Sequence, residues 1–135
     1  MANTLFDHAR QRFLEAQINW MTDTIKVFLV STSAYTPQTA VHQYLSDIPP
    51  SGRIAGPVTL TAKATTGGAA DAADCTFTSV TGATINAIVI CKDTGTEATS
   101  PLIAYIDTAT GLPITPNGGD IIVTWDNGVN KIFRV

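Results

Sequence analysis

Thr24-Ile25-Lys26-Val27-Phe28-Leu29-Val30-Ser31-Thr32 repeats with a period of two. Ile25, Val27 and Leu29 fall on one side and Phe28 and Val30 on the other, the pattern of a strand covered on both faces. Such a strand belongs in the middle of a sheet. Downstream, residues 58–64, 75–80, 83–92, 102–108, 121–126 and 129–135 have the same strand-like composition. They are separated by turn signals at Gly67-Gly68, Thr81-Gly82, Thr94-Gly95, Thr110-Gly111 and Asn117-Gly118-Gly119. Short strands with closely spaced turns predict an all-β fold, an antiparallel sandwich or jelly-roll-like barrel of about seven strands. With 135 residues the chain has room for a single β-rich domain spanning residues 1–135.

The last two strands are expected to form a hairpin. A two-residue Asn127-Gly128 turn would place Trp125 opposite Asn130. A three-residue Asp126-Asn127-Gly128 loop instead gathers Ile121, Val123 and Trp125 with Val129, Phe133 and Val135. The second register concentrates the apolar residues, so the three-residue loop is preferred, with Gly128 at positive φ in a G1 bulge.

Before the first long strand the period is helical. Phe6, Ala9, Phe13, Ala16 and Trp20 recur at spacings of three and four and make one apolar stripe, which places an amphipathic N-terminal helix near residues 4–17. Thr4, with Asp7 three residues on, resembles a capping box at its start. The helix either covers the β core or docks on another subunit. Between strands, residues 33–53 carry Pro37, Pro49, Pro50 and Gly52 and suggest a helical turn around residues 41–45. A surface loop of that length inside a small domain is usually functional or ordered by a partner.

Composition narrows the function classes. Eight basic and eleven acidic residues give a net charge of −3, the wrong sign for a surface dedicated to phosphate backbones, so no nucleic-acid partner is expected. Apolar runs are strand-sized and too short to span a bilayer, and residues 1–12 lack the apolar core of a secretory signal. The expectation is a chain that stays where it is made, with no membrane partner. Cys75 and Cys91 match neither a disulfide framework nor a zinc spacing. They read as small buried hydrophobes, although one bridge is conceivable if their strands are neighbours.

No recognisable catalytic motif appears. The two histidines, His8 on the helix and His42 in the long loop, have no nucleophile beside them in sequence. Asp71, Asp74, Asp93, Glu97, Asp107, Asp120 and Asp126 sit beside turns, where acids are ordinary. Asp93, Gly95 and Glu97 lack the further oxygen ligands that calcium requires. The glycine pairs lack phosphate-loop context. The expectation is a protein that is not an enzyme and carries no cofactor or metal. A small domain with 14% charged residues must present some apolar surface to partners, and Trp20, Tyr35, Tyr44 and Tyr105 are candidate anchors, with Trp20 and Tyr105 reading equally well as core residues. Sheet edges add a second route to self-association.

A resemblance supplies the rest. Met1-Ala-Asn-Thr-Leu-Phe-Asp7, Trp20-Met-Thr-Asp-Thr-Ile-Lys-Val27, Tyr44-Leu-Ser-Asp-Ile-Pro49 and Lys92-Asp-Thr-Gly-Thr-Glu-Ala-Thr-Ser-Pro101 resemble virion proteins of tailed bacteriophages. So does the run 102–128, with Asp107-Thr-Ala-Thr-Gly-Leu-Pro113 and Trp125-Asp-Asn-Gly128. Specifically, the chain resembles small capsid decoration or cement proteins along nearly its whole length, departing at Cys75 and Cys91, where ordinary apolar residues are expected. The resemblance implies a structural virion protein, made in the host cytoplasm and placed on the capsid exterior. It would bridge subunits of the major capsid protein, as a homodimer or other homo-oligomer. The alternative is a phage tail component or receptor- or carbohydrate-binding β domain. Contact residues are expected from this sequence itself, not carried over: Arg10 and Arg12 on the helix, and Tyr35, His42 and Tyr44 in the loop.

Overall fold

A computed structural model of the chain describes residues 4–107, 112–125 and 132–134. The described residues form ten short strands and one α-helix: β1 (Thr4–Leu5), α1 (Asp7–Leu14), β2 (Ile25–Val30), β3 (Arg53–Thr59), β4 (Ala64–Thr66), β5 (Ala69–Asp71), β6 (Cys75–Phe77), β7 (Ala87–Lys92), β8 (Leu102–Ile106), β9 (Ile121–Val123) and β10 (Phe133–Arg134). The main sheet has the order β1-β8-β7-β2-β3. Two smaller sheets have the orders β10-β5-β4 and β6-β9. All the ladders are antiparallel. The fold is therefore mostly β with one helix, and its strands are more numerous and shorter than the expected seven. No sheet closes into a barrel among the described residues.

The double-sided apolar pattern of β2 has its expected consequence. β2 lies between β7 and β3, pairs with β7 from Ile25↔Lys92 to Val30↔Ala87, and buries every residue except Lys26. β7 and β8 are buried in the same way. Ile25, Val27, Leu29, Ile88 and Ile90 share one face of the sheet, whereas Phe28, Val30, Ala87 and Val89 share the other. Both faces are covered, and the residues on both belong to one core cluster.

The edge strand β3 departs from a regular ladder. Its register against β2 slips twice, between Val27↔Val58 and Leu29↔Ala55 and again before Val30↔Arg53. Gly56 and Pro57 sit in the first slip. Bulges and a proline on an edge disrupt the row of free backbone groups that would otherwise recruit another strand.

The helix starts later than its sequence pattern predicts. Thr4 and Leu5 pair with Tyr105 and Ala104 as an edge strand, so Thr4 is not a capping residue. Leu5 and Phe6 are buried, and this burial holds the chain extended until Phe6, whose φ and ψ of −65° and 140° make it the residue before the helix. The Asp7 amide is satisfied from outside, donating to the Thr39 carbonyl at 2.9 Å. The C-terminal end also comes early. Ala16 turns left-handed at φ 58°, and the Gln17 amide closes the last turn on the Arg12 carbonyl at 2.8 Å. Of the apolar stripe, Phe6, Ala9 and Trp20 are buried and Ala16 is exposed, because the helix ends before completing it.

Both tryptophans pin the segment between β5 and β6. Trp20 Nε1 donates to the Asp71 carbonyl and Trp125 Nε1 to the Ala73 carbonyl, each at 3.1 Å. Trp20 also meets Phe133 edge-on, with ring centroids 5.2 Å apart. Trp20 and Tyr105 are core residues, 5% and 2% exposed, and so are not surface anchors in the folded chain. The expected final hairpin is corrected in its pairing: β9 pairs with β6 and β10 pairs with β5. The 126–128 loop and the conformation of Gly128 lie outside the described residues.

Cys75 on β6 and Cys91 on β7 are buried and unbridged. Burial, then the neighbouring Asp74, push the Cys75 thiol up to about 11. Burial and Asp93 push Cys91 up to about 12. Both thiols stay protonated at neutral pH and are shielded from reagent. The native chain at pH 8 is expected to release essentially no colour with a thiol-disulfide reagent, then to react at both cysteines once guanidinium unfolds it. Rapid labelling of either thiol in the native state would contradict this packing.

Candidate functional site

Residues 31–52, between β2 and β3, are an ordered excursion rather than an open loop. The helical turn expected around residues 41–45 is corrected: the helical segments are two 3-10 turns further on, Leu45–Asp47 and Pro50–Gly52. Leu45 and Ile48 are buried. Backbone bonds tie the excursion to β8 and its approach, from the Leu45 amide to the Ser100 carbonyl and from the Leu102 amide to the Gln43 carbonyl.

Asp47 organises the first turn. Its Oδ2 accepts from the backbone amides of Gln43 at 2.8 Å and Tyr44 at 3.1 Å. Desolvation acts against the charged carboxylate, but the two amides and nearby His42 outweigh it and hold its pKa below the ordinary carboxylate range. A depressed folded-state pKa contributes stability above the unfolded value, near 4, that is lost as pH falls through the folded value. Amide exchange at Gln43 and Tyr44 is therefore expected to accelerate selectively below about pH 4. An Asp47→Asn variant should show the faster exchange already at neutral pH. Equal exchange in variant and parent at pH 7 would remove Asp47 from this role.

Arg12 crosses from the helix to this turn. Its Nη2 donates to Gln43 Oε1 at 3.2 Å and to the Tyr44 hydroxyl at 3.0 Å, and the guanidinium carbon lies 4.9 Å from the centre of the Tyr44 ring. Among the described residues, buried Arg12 Nη1 has no hydrogen-bond partner. A cleft of about 270 Å³ is lined by His8, Gln11, Arg12, Glu15, Gln17 and Gln43.

A second pair lies close by in the same excursion. The Tyr35 hydroxyl and His42 Nδ1 are 2.9 Å apart, with ring centroids separated by 5.4 Å. Burial, then Asp47 and Tyr105, push the phenol well above its ordinary pKa, so it stays protonated and donates to Nδ1 when that nitrogen is free of a proton. Tyr35 is 2% exposed. This corrects the expectation of a surface anchor: its ring is core, and substituting it would disturb the loop rather than a contact. His42 and Tyr44 are half-buried.

Arg10 and Arg12 do not share a face. Two helical positions are about 200° apart around the axis. Arg10 therefore points outward, bonded to Asp7 at 2.9 Å and Thr4 at 3.3 Å, while Arg12 folds inward against the loop. The structure thus brings Arg12 together with Tyr44, and Tyr35 with His42, and leaves Arg10 apart.

Arg53 was not among the expected residues, yet it holds the excursion shut. Its Nε and Nη2 donate to the Ile48 carbonyl at 3.1 and 2.7 Å, Nη2 also reaches the Leu45 carbonyl at 3.2 Å, and Nη1 pairs with Glu97. Its partners are mainly backbone carbonyls, which every residue carries, so no motif signals them. Gln43 and Asp47 were missed too. The Tyr44 and Asp47 spacing was the available signal, hidden because tyrosine stands where a capping box has serine or threonine.

Among the described residues, no group of three or more His, Cys, Asp or Glu side chains is placed to hold a metal ion, and no helix is long and apolar enough to cross a membrane. Fold and site together define a mostly β domain whose single helix and longest connection interlock into one face. Comparison of the chain with protein-family models and with curated proteins gives no match.

Proposed function

We propose that this chain is a structural virion protein of a tailed bacteriophage, a decoration or cement protein that binds the outer capsid surface and bridges neighbouring subunits of the major capsid protein. In this reading the main sheet is one layer of a β-sandwich, copies associate as a homo-oligomer, and the helix with the 31–52 excursion faces the shell. The observation that carries it is the interlocking of that face through Arg12, Gln43 and Tyr44. A face held in one conformation before contact gives up little freedom on binding, which suits a small module that acts through many modest interfaces. Leu14 and Val41, 86% and 62% exposed on the helix and the excursion, supply apolar area to such a contact. The sequence resemblance to capsid decoration proteins supports the same reading.

The test is the intact particle. Purified virions are expected to contain the chain in tens to hundreds of copies, with its density on the outer shell following icosahedral symmetry. Replacing Leu14 and Val41 by glutamate should lower occupancy while leaving the melting temperature of the isolated chain unchanged. Absence from virions, or a copy number that follows the tail, would overturn the proposal.

A further inference from the structure

We propose that the cleft beside α1 is a binding site for a single carboxylate, with Arg12 as its cation. The arginines whose side chains are described differ in how their charge is met. Arg10 pairs with Asp7 and Arg53 with Glu97, whereas among the described residues Arg12 bonds only to the neutral side chains of Gln43 and Tyr44. One whole amino group of the guanidinium, Nη1, has no acceptor among the described residues and is sealed from solvent. Arg12 also lines the cleft, whose volume of about 270 Å³ is large enough for a carboxylate and the carbon that bears it.

The lining specifies the occupant. A planar guanidinium with unmet donors matches a planar carboxylate, and the side-chain amides of Gln17 and Gln43 offer further N–H groups around it. Glu15 also lines the cleft, with Oε2 held by Gln11 Nε2 at 3.1 Å. Its negative charge works against a doubly charged anion such as phosphate and weakens, without abolishing, binding of a monoanion. A saccharide is disfavoured because the aromatic face it would stack on, Tyr44, is already covered by the Arg12 guanidinium. Occupation turns the guanidinium so that Nη1 faces the opening. The carboxylate comes either from an acidic side chain of a partner chain or from a small free acid. The site stands whether or not the chain belongs to a capsid.

The full-length chain, labelled with nitrogen-15, is titrated with sodium acetate, with sodium chloride and phosphate at matched ionic strength as controls, and with the capped tripeptide acetyl-Ala-Glu-Ala-amide. Saturable shifts are expected at the Arg12 side-chain and Gln43 amide resonances with acetate and the peptide but not with chloride or phosphate. Glu15→Gln, a change at an exposed position, should tighten acetate binding by about threefold to tenfold by removing the opposing charge. Arg12→Lys should weaken it by about tenfold or more, since a point charge cannot make the paired contact. A peptide that binds well above acetate identifies a chain-borne carboxylate, and equal affinities identify a free acid. The proposal is overturned if neither parent nor Glu15→Gln responds saturably, if chloride produces the same shifts, which would mark an adventitious ion only, or if Arg12→Lys binds as the parent does.

Discussion

Gly56→Ala is expected to destabilise the chain by about 3 kcal/mol, lowering its melting temperature by roughly 10 °C. Two independent causes converge on this residue. Its φ of +112° lies outside the region that any L-residue adopts comfortably. A Cβ there would also stand 2.7 Å from the Val27 carbonyl oxygen and 3.2 Å from the Phe28 Cα, and both are backbone atoms of the central strand that cannot swing aside. The mutation would therefore push β3 away from β2 at the point where the register slips. Gly67→Ala is the control, with φ of +57° and nothing within 4 Å of the new methyl group, and should cost only about 1 kcal/mol. Guanidinium unfolding of the two variants beside the parent measures both. Equal losses would mean that the close approach of β2 contributes nothing.

Arg53→Met is expected to cost about 2 kcal/mol, and to do so locally. Methionine keeps the aliphatic length that lies against the Phe28 ring, where the guanidinium carbon is 5.9 Å from the centroid. It removes the donors to the carbonyls of Leu45 and Ile48. Those carbonyls belong to the first 3-10 turn and the residue after it, so their release should show as faster amide exchange across residues 44–52. Exchange within β7 and β8 should change only in proportion to global stability. The ion pair with Glu97 is the lesser part of the effect, because Glu97 is half exposed, and Glu97→Gln should cost well under about 1 kcal/mol. An Arg53→Met chain with parental exchange in the excursion would show that Pro49, Pro50 and the buried Ile48 hold it unaided.

What could be read from the sequence was what depends on nearest neighbours in space being nearest neighbours in pattern. Ile25 to Val30 alternate between two buried faces, and that burial alone makes β2 central. The strands β7 and β8 follow the same logic. The start of the helix escapes a local reading because Leu5 and Phe6 fit a helical stripe and a buried edge strand equally well, and pairing of Leu5 with Ala104 on a distant strand decides between them. The closing strands show the same limit. Ile121 and Phe133 have strand character, but their partners Phe77 and Ala70 are not those that the shortest loop suggests. In the site, Arg12 and Tyr44 are legible as candidate contact groups, but not as neighbours of each other. Helical periodicity separates Arg10 from Arg12, but that Arg12 meets Gln43 and Tyr44 depends on the loop returning beside the helix, which local periodicity does not contain.

The two indoles give the molecule a built-in optical gauge. The chain has only two tryptophans, and both donate to carbonyls of one short stretch, Asp71 and Ala73, which links the small sheets. Their emission therefore reports the docking of that stretch rather than the melting of the five-stranded sheet. Circular dichroism follows the larger sheet instead, so a fluorescence transition that runs ahead of it would reveal the small sheets peeling off first.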